Sequence, residues 1–202
     1  MSPSRILDRV QQARIGPGAL VAVCGPSGAG KDSLLRRAQE RNSDTARIVF
    51  PRRIVTRLES AFEEHETATP EEFDRTLASG GFAFSWDAHG LKYGLAAAID
   101  EDIRAGRCVV CNVSRTVIPR LRFKYSRVVT ILVTAPQEVL LARLAERARA
   151  TDGDLSQRIA RSAKVSEDLD VDVVIENTGS IDDGARKLQN AIEIRFTSIL
   201  QI

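Results

Sequence analysis

The sequence predicts an α/β domain built on a parallel sheet with helices on both faces, and three observations carry that expectation. The apolar runs Ala19–Cys24, Cys108–Cys111 and Val128–Val133 are continuous rather than alternating, as in strands buried on both sides. Segments with helical spacing separate them, which is the order of a helix-covered parallel sheet. Between the first run and the first helix stands Gly25-Pro26-Ser27-Gly28-Ala29-Gly30-Lys31-Asp32-Ser33. Strand, glycine-rich turn and helix form the setting in which G-x-x-x-x-G-K cradles phosphate, so the fold class is that of a P-loop NTPase.

In this loop, Gly28 and Gly30 let the backbone turn successive N–H groups inward, and the following helix adds its positive end. Lys31 supplies a point charge for β- and γ-phosphate oxygens. Asp32 stands where Ser or Thr would ligate a metal ion. A carboxylate beside phosphate oxygens is repulsive unless a divalent cation lies between them, so Asp32 is the expected metal residue.

Composition bounds the rest. The chain has 202 residues, 43% apolar and 28% charged, with a formal charge of +2. That suits one domain over residues 1–202 and gives no electrostatic argument for nucleic acid or a membrane. Cys24, Cys108 and Cys111 lie in apolar runs without metal-site spacing and read as reduced core thiols of a cytoplasmic protein. Met1 to Ile15 reads as a short amphipathic helix without the apolar core of a signal peptide.

In chain order, 46–50 reads as a second strand, followed closely by Arg52, Arg53 and Arg57, candidate receivers for a second anionic group. Thr69-Pro70-Glu71-Glu72 is a helix start with a capping box, and Gly80-Gly81 is its stop. Residues 82–94 read as a hairpin-like excursion over the site, turning at His89-Gly90. His65 and His89 are surface or capping candidates with a secondary claim on substrate. A helix over 96–105 leads to the buried strand that ends at Asn112, where many loop-plus-lysine kinases carry Asp; Ser114 and Arg115 follow. After the 128–133 strand, Thr134 and Gln137 suit a capping box across Pro136. The next helix puts Arg143 and Arg147 on one face. A polar break at 151–154 and a helix with Arg158 and Arg161 complete an expected lid over about 143–162. A strand ending in Glu176-Asn177 and a helix over 181–199 close the chain. Ligands gather at the carboxyl ends of such strands.

Taken together, Gly-Pro-Ser-Gly-Ala-Gly-Lys, Thr56-Arg57, Tyr93-Gly94, the arginine pairs and Ile175-Glu176-Asn177 resemble the guanylate-kinase-like nucleoside monophosphate kinases across nearly the whole chain. The departures are instructive. The acid that reads guanine in those enzymes falls here at Phe84, and two further acids fall at Asn112 and Ser114. Gly-Lys-Asp-Ser-Leu-Leu, Ser85-Trp86, Ala88, Gly90-Leu91, Tyr93-Gly94 and Asn112 with Ser114-Arg115 are similar to the ribose 1,5-bisphosphate phosphokinases of phosphonate catabolism.

This second resemblance implies use of ATP and Mg²⁺ to phosphorylate ribose 1,5-bisphosphate to 5-phosphoribosyl 1-diphosphate. It implies Lys31, Arg143, Arg147 and Arg158 as catalytic cations, residues 25–33 as the nucleotide site, and an acceptor region over about 51–95. The acceptor residues would be Arg53, Arg57, Ser85, Tyr93, Asn112, Ser114 and Arg115. A homo-oligomer is compatible with it. The alternatives are a guanylate or other nucleoside monophosphate kinase, and a non-catalytic interaction module. The retained loop glycines and Lys31 weigh against the module, since phosphate binding is what needs them.

Overall fold

Two sheets share one apolar core in the computed structural model. It describes residues 14–43, 45–57, 65–88, 90–151 and 170–200, with the side chains of 147–151 and 196–200 left aside. The larger sheet is parallel and five-stranded, in the order β2-β7-β1-β8-β9. Its members are β1 (Ala19–Cys24), β2 (Ile48–Val49), β7 (Cys108–Asn112), β8 (Val128–Thr134) and β9 (Val173–Glu176). The central strand β1 pairs with β7 on one side and β8 on the other, and all six of its residues are buried.

One face of this sheet packs on α1 (Lys31–Arg41), α5 (Gln137–Thr151) and α6 (Ile181–Leu200) through Leu34, Ala38, Leu140, Leu188 and Ile192. The other face packs on α3 (Ala98–Arg104) and α4 (Ile118–Lys124) through Ile99, Ile103, Ile118 and Leu121. The fold class is therefore the expected α/β arrangement, with helices on both faces of a parallel sheet.

The excursion is more than a hairpin. It is a second, four-stranded sheet in the order β4-β3-β6-β5, from β3 (Arg53–Val55), β4 (His65–Thr67), β5 (Phe82–Ala88) and β6 (Leu91–Ala96). Strands β5 and β6 form the expected antiparallel hairpin, while β3 lies antiparallel to β6 and parallel to β4. Phe84, Trp86, Tyr93 and Leu95 join the same core as α3 and α4, which fastens the smaller sheet to the larger. Helix α2 (Pro70–Ala78) begins with the expected capping box: Glu72 N–H donates to Thr69 Oγ1, and Thr69 N–H donates to Glu72. It sets Phe73 against Phe82, ring centroids 4.5 Å apart.

Several expectations are corrected. The second strand is only Ile48–Val49, because its residues are half-buried at a sheet edge. Ala96 ends β6, and helix α3 starts at Ala98. Thr134 does not cap α5. It is the last residue of β8, paired with Glu176, and the Val139 and Leu140 amides of α5 bond to the Pro136 carbonyl. His65 is buried rather than at the surface, and its Nε2–H donates to the Arg57 carbonyl at 3.1 Å. Of the helix expected over 1–15, Ile15 is instead bridged in parallel to Tyr125, and Thr151 of the break expected at 151–154 is the last residue of α5. Residues 1–13, His89, 152–154 and the helix bearing Arg158 and Arg161 lie outside the described residues.

Candidate active site

The glycine-rich turn joins the carboxyl end of β1 to the start of α1. Two of its glycines are required by geometry. Gly25 has φ +146°, and a Cβ there would stand 2.0 Å from the Val133 carbonyl oxygen of β8. Gly30, at φ +88°, is the N-cap residue of α1, and its Cβ would meet Asn177 Nδ2 at 2.6 Å. No side-chain cap closes α1, so its first N–H groups and its dipole face the loop, the arrangement that binds phosphate. Lys31 folds over the turn, Nζ donating to the carbonyls of Gly25 at 3.0 Å and Pro26 at 2.9 Å.

The loop is braced from behind. Buried Asn177 donates from Nδ2 to the Ala29 carbonyl at 2.9 Å. Its own N–H bonds to the Thr134 carbonyl at 2.7 Å. Arg143 adds donors to Asn177 O at 3.1 Å and Gly28 O at 3.5 Å. Asn177 was legible only as part of a shared motif; its bracing role depends on a partner 148 positions away.

Asp32 is the meeting point of the two sheets. Its Oδ1 accepts from Arg53 Nη2 on β3 at 2.9 Å and from Asn112 Nδ2 at the end of β7 at 2.8 Å. Both donors fall on one oxygen, and among the described residues none bonds to Oδ2. The Arg53 guanidinium also lies over the Tyr93 ring, 5.9 Å from its centroid, and Tyr93 stacks on Trp86 at 5.5 Å. A cleft bounded by Asp32, Arg36, Arg52, Arg53 and Asn112 runs alongside, floored by Cys111 and Val110. A carboxylate oxygen is a suitable ligand for Mg²⁺, which typically takes one or two carboxylates and completes its shell with phosphates and water. Asp32 thus fits a divalent cation in donor chemistry, although its present partner is Arg53.

The remaining candidates are placed unevenly. Arg57 lies two residues beyond the end of β3, and its Nε is buried. The Ser85 carbonyl accepts from Arg120 at 3.2 Å, and among the described residues no hydrogen bond joins its hydroxyl to the Asp32–Arg53 pair. Ser114 caps a short 3₁₀ turn, its Oγ accepting from Thr116 N–H at 3.3 Å. Arg115 opens that turn with Nη1 buried. The side chains of Arg147 and Arg158 lie outside the description.

Phe84 does not face the cleft. It is buried against Tyr125, ring centroids 5.7 Å apart, with Lys124 Nζ 4.9 Å and Arg120 5.6 Å from its own centroid. Tyr125 donates to Asp100 at 2.7 Å, and Lys124 pairs with the same carboxylate at 2.8 Å. Burial above all, with the Asp100 bond, pushes the Tyr125 hydroxyl well above the usual phenol range. Burial likewise raises Cys24, beside the loop, to about 11, against a smaller opposing pull from Arg115 and Lys31.

These features define the class: a nucleotide-binding P-loop domain of the kinase type, with a lateral sheet beside the phosphate loop. A family model described as an AAA domain matches residues 21–165. The fold is similar to that of guanylate kinase from Anaplasma phagocytophilum, with a TM-score of 0.61 over 90% of this chain and 86% of that one; at 19% identity the likeness concerns the fold alone. Ribose 1,5-bisphosphate phosphokinase PhnN of Bradyrhizobium diazoefficiens is 49% identical over 192 residues, covering 95% of this chain and 96% of the relative. The protein of the same name from Rhodopseudomonas palustris is 51% identical over 178 residues, covering 88% and 90%. The chain belongs to the ribose 1,5-bisphosphate phosphokinase family, within the AAA-domain P-loop proteins. Among the described residues no helix is long and apolar enough to cross a membrane.

Proposed function

We propose that the protein transfers the γ-phosphoryl group of ATP to the 1-phosphate of ribose 1,5-bisphosphate, giving 5-phosphoribosyl 1-diphosphate and ADP. The observation that carries this reading is the burial of Phe84 between Tyr125 and two cations, at the position where guanylate-kinase-like enzymes present a base-reading acid. Asn112, at the position of a further acid of those enzymes, commits its amide N–H to Asp32. A guanine placed here leaves N–H donors unpaired, at about 1–3 kcal/mol for each buried group. A sugar bisphosphate makes no such demand. It asks for guanidinium groups and hydroxyls, and the candidates to supply them are Arg53, Arg57, Ser85 and Tyr93 on and beside the smaller sheet and Ser114 and Arg115 after β7. The names of relatives that are half identical over nearly the whole chain point the same way.

In the reaction, an oxygen of the acceptor phosphate forms a bond to the γ-phosphorus. The bond to the β–γ bridging oxygen breaks, and ADP leaves. Because that acceptor oxygen is already ionised at neutral pH, no side chain has to act as a strong base. The loop N–H groups and Lys31 hold the β- and γ-phosphates and offset the charge that develops. Arg143, which now donates to the Gly28 and Asn177 carbonyls, would turn with Arg147 and Arg158 to complete a lid that excludes water. Asp32 would hold a Mg²⁺ ion, which would supply charge neutralisation at the phosphates. ADP release measured with ribose 1,5-bisphosphate against GMP tests the reading. Turnover of the sugar bisphosphate, with a diphosphate product by phosphorus NMR, is expected; preferential turnover of GMP would overturn it.

A further inference from the structure

The Asp32 carboxylate has two claimants, and only one is a metal ion. Arg53 donates to Asp32 Oδ1 at 2.9 Å, and both side chains are largely withdrawn from solvent, at 12% and 25% exposure. Asn112 bonds to the same oxygen. Arg53 belongs to the smaller sheet, in register with His65 of β4, while Asp32 belongs to the first turn of the loop helix. The pair therefore joins the structure that would hold the nucleotide to the one that would hold the acceptor. A guanidinium over an aromatic ring is matched to phosphate in shape and charge, but one committed to a carboxylate is not available to an incoming anion.

We propose that Asp32 is a positioning residue that holds Arg53 in reserve, and that Arg53 is an acceptor-phosphate ligand released when a divalent cation takes the carboxylate. This rests on the reading of the site as a metal-dependent phosphoryl-transfer centre. Two cations competing for one carboxylate make metal binding and acceptor binding mutually supportive. The cation frees Arg53 for the acceptor, and the acceptor anion draws Arg53 away from Asp32. Linkage requires the same factor in both directions. Tyr93, stacked on Trp86, offers the guanidinium a platform along which to turn without losing its aromatic contact. Asn112 steadies Asp32 while the partner changes. The device keeps the acceptor ligand neutralised until the nucleotide's metal is in place, which disfavours capture of a stray phosphate by an unloaded site.

The test is binding, not turnover. Mn²⁺ affinity of the protein–ADP complex is measured by electron paramagnetic resonance for wild type, Arg53→Gln and Asp32→Asn. Calorimetry of ribose 1,5-bisphosphate follows, with and without Mg²⁺ in the presence of ADP. Thermal melts establish that each variant is folded, and Arg53→Lys provides a variant that keeps the charge. Removing the competitor should tighten Mn²⁺ binding in Arg53→Gln by about fivefold or more, a typical size for a coupling between sites, with Arg53→Lys closer to wild type. In wild type, Mg²⁺ should tighten ribose 1,5-bisphosphate binding by a comparable factor, and Asp32→Asn should bind the sugar bisphosphate equally with and without the metal. Unchanged or weaker Mn²⁺ binding in folded Arg53→Gln would sink the proposal, as would metal-independent acceptor binding in wild type. Failure of the functional reading looks different: ribose 1,5-bisphosphate would bind to no variant, while the Mn²⁺ comparison would still report the competition.

Discussion

In the five-stranded sheet every residue of β1 and β7 is buried, whereas in the four-stranded sheet β4 buries only His65 and β3 only Val55. The first is a scaffold whose central strands are covered on both sides. The second is fastened by Phe84, Trp86, Tyr93 and Leu95 against α3 and α4, and carries Arg53 and Ser85 at partly buried positions. The difference teaches where each kind of change is felt. Substitutions in the larger sheet act through packing and cooperativity, while substitutions on the open parts of the smaller one act on recognition and leave the fold nearly untouched.

The sharpest challenge to that division is Lys31→Ala, which lies on the scaffold side yet touches the chemistry. It should lower turnover by about 10²–10³-fold or more, since it removes a charge aimed at developing charge, while the melting temperature stays near wild type. Steady-state kinetics beside a thermal melt check both halves. Ile131→Ala, fully buried in β8, should cost about 2–5 kcal/mol by denaturant unfolding, with activity per folded molecule retained. Asn177→Ala sits between the two regimes. It orphans the buried Ala29 carbonyl and should cost about 1–3 kcal/mol, and the same change should weaken nucleotide affinity in calorimetry, because the loop loses its brace. Ser85→Ala should shift stability by less than about 0.5 kcal/mol, with its effect confined to the KM for the acceptor.

The smallest effect at neutral pH, and a separate probe of the larger sheet, is alkaline. Burial raises Cys24 to about 11 and Cys108 and Cys111 to about 12, from 9.0. Their folded values exceed their unfolded ones, so the stability they contribute is fully present below pH 9 and is lost as pH rises toward 11–12. Denaturant midpoints across that window should fall, and they should fall less in Cys108→Ala. Wild-type thiols should react with a thiol reagent only as fast as the protein opens.

How much of this was legible follows from the same contrast. The strands β1, β7 and β8 could be read directly, because burial on both faces forces continuous apolar runs such as Cys108-Val109-Val110-Cys111. The strand β4, His-Glu-Thr, carries no such pattern, and its parallel pairing with β3 is made by backbone across a connection of nine residues, 56–64. The P-loop was legible because glycine and lysine are demanded locally, within one turn of chain. The Asp32 cluster was not, since its partners lie 21 and 80 positions away. From the sequence Asp32 reads as a metal residue alone, and its guanidinium partner from the neighbouring sheet appears only in the fold.

Gly25 sits where any Cβ would strike the Val133 carbonyl, so the start of the phosphate loop is seated directly on the backbone of β8. A lineage can then exchange one phosphorylated acceptor for another by editing a handful of half-exposed residues, with the grip on the nucleotide tail inherited intact. Drift in the opposite direction, towards a new donor, has to pass through the most crowded part of the molecule.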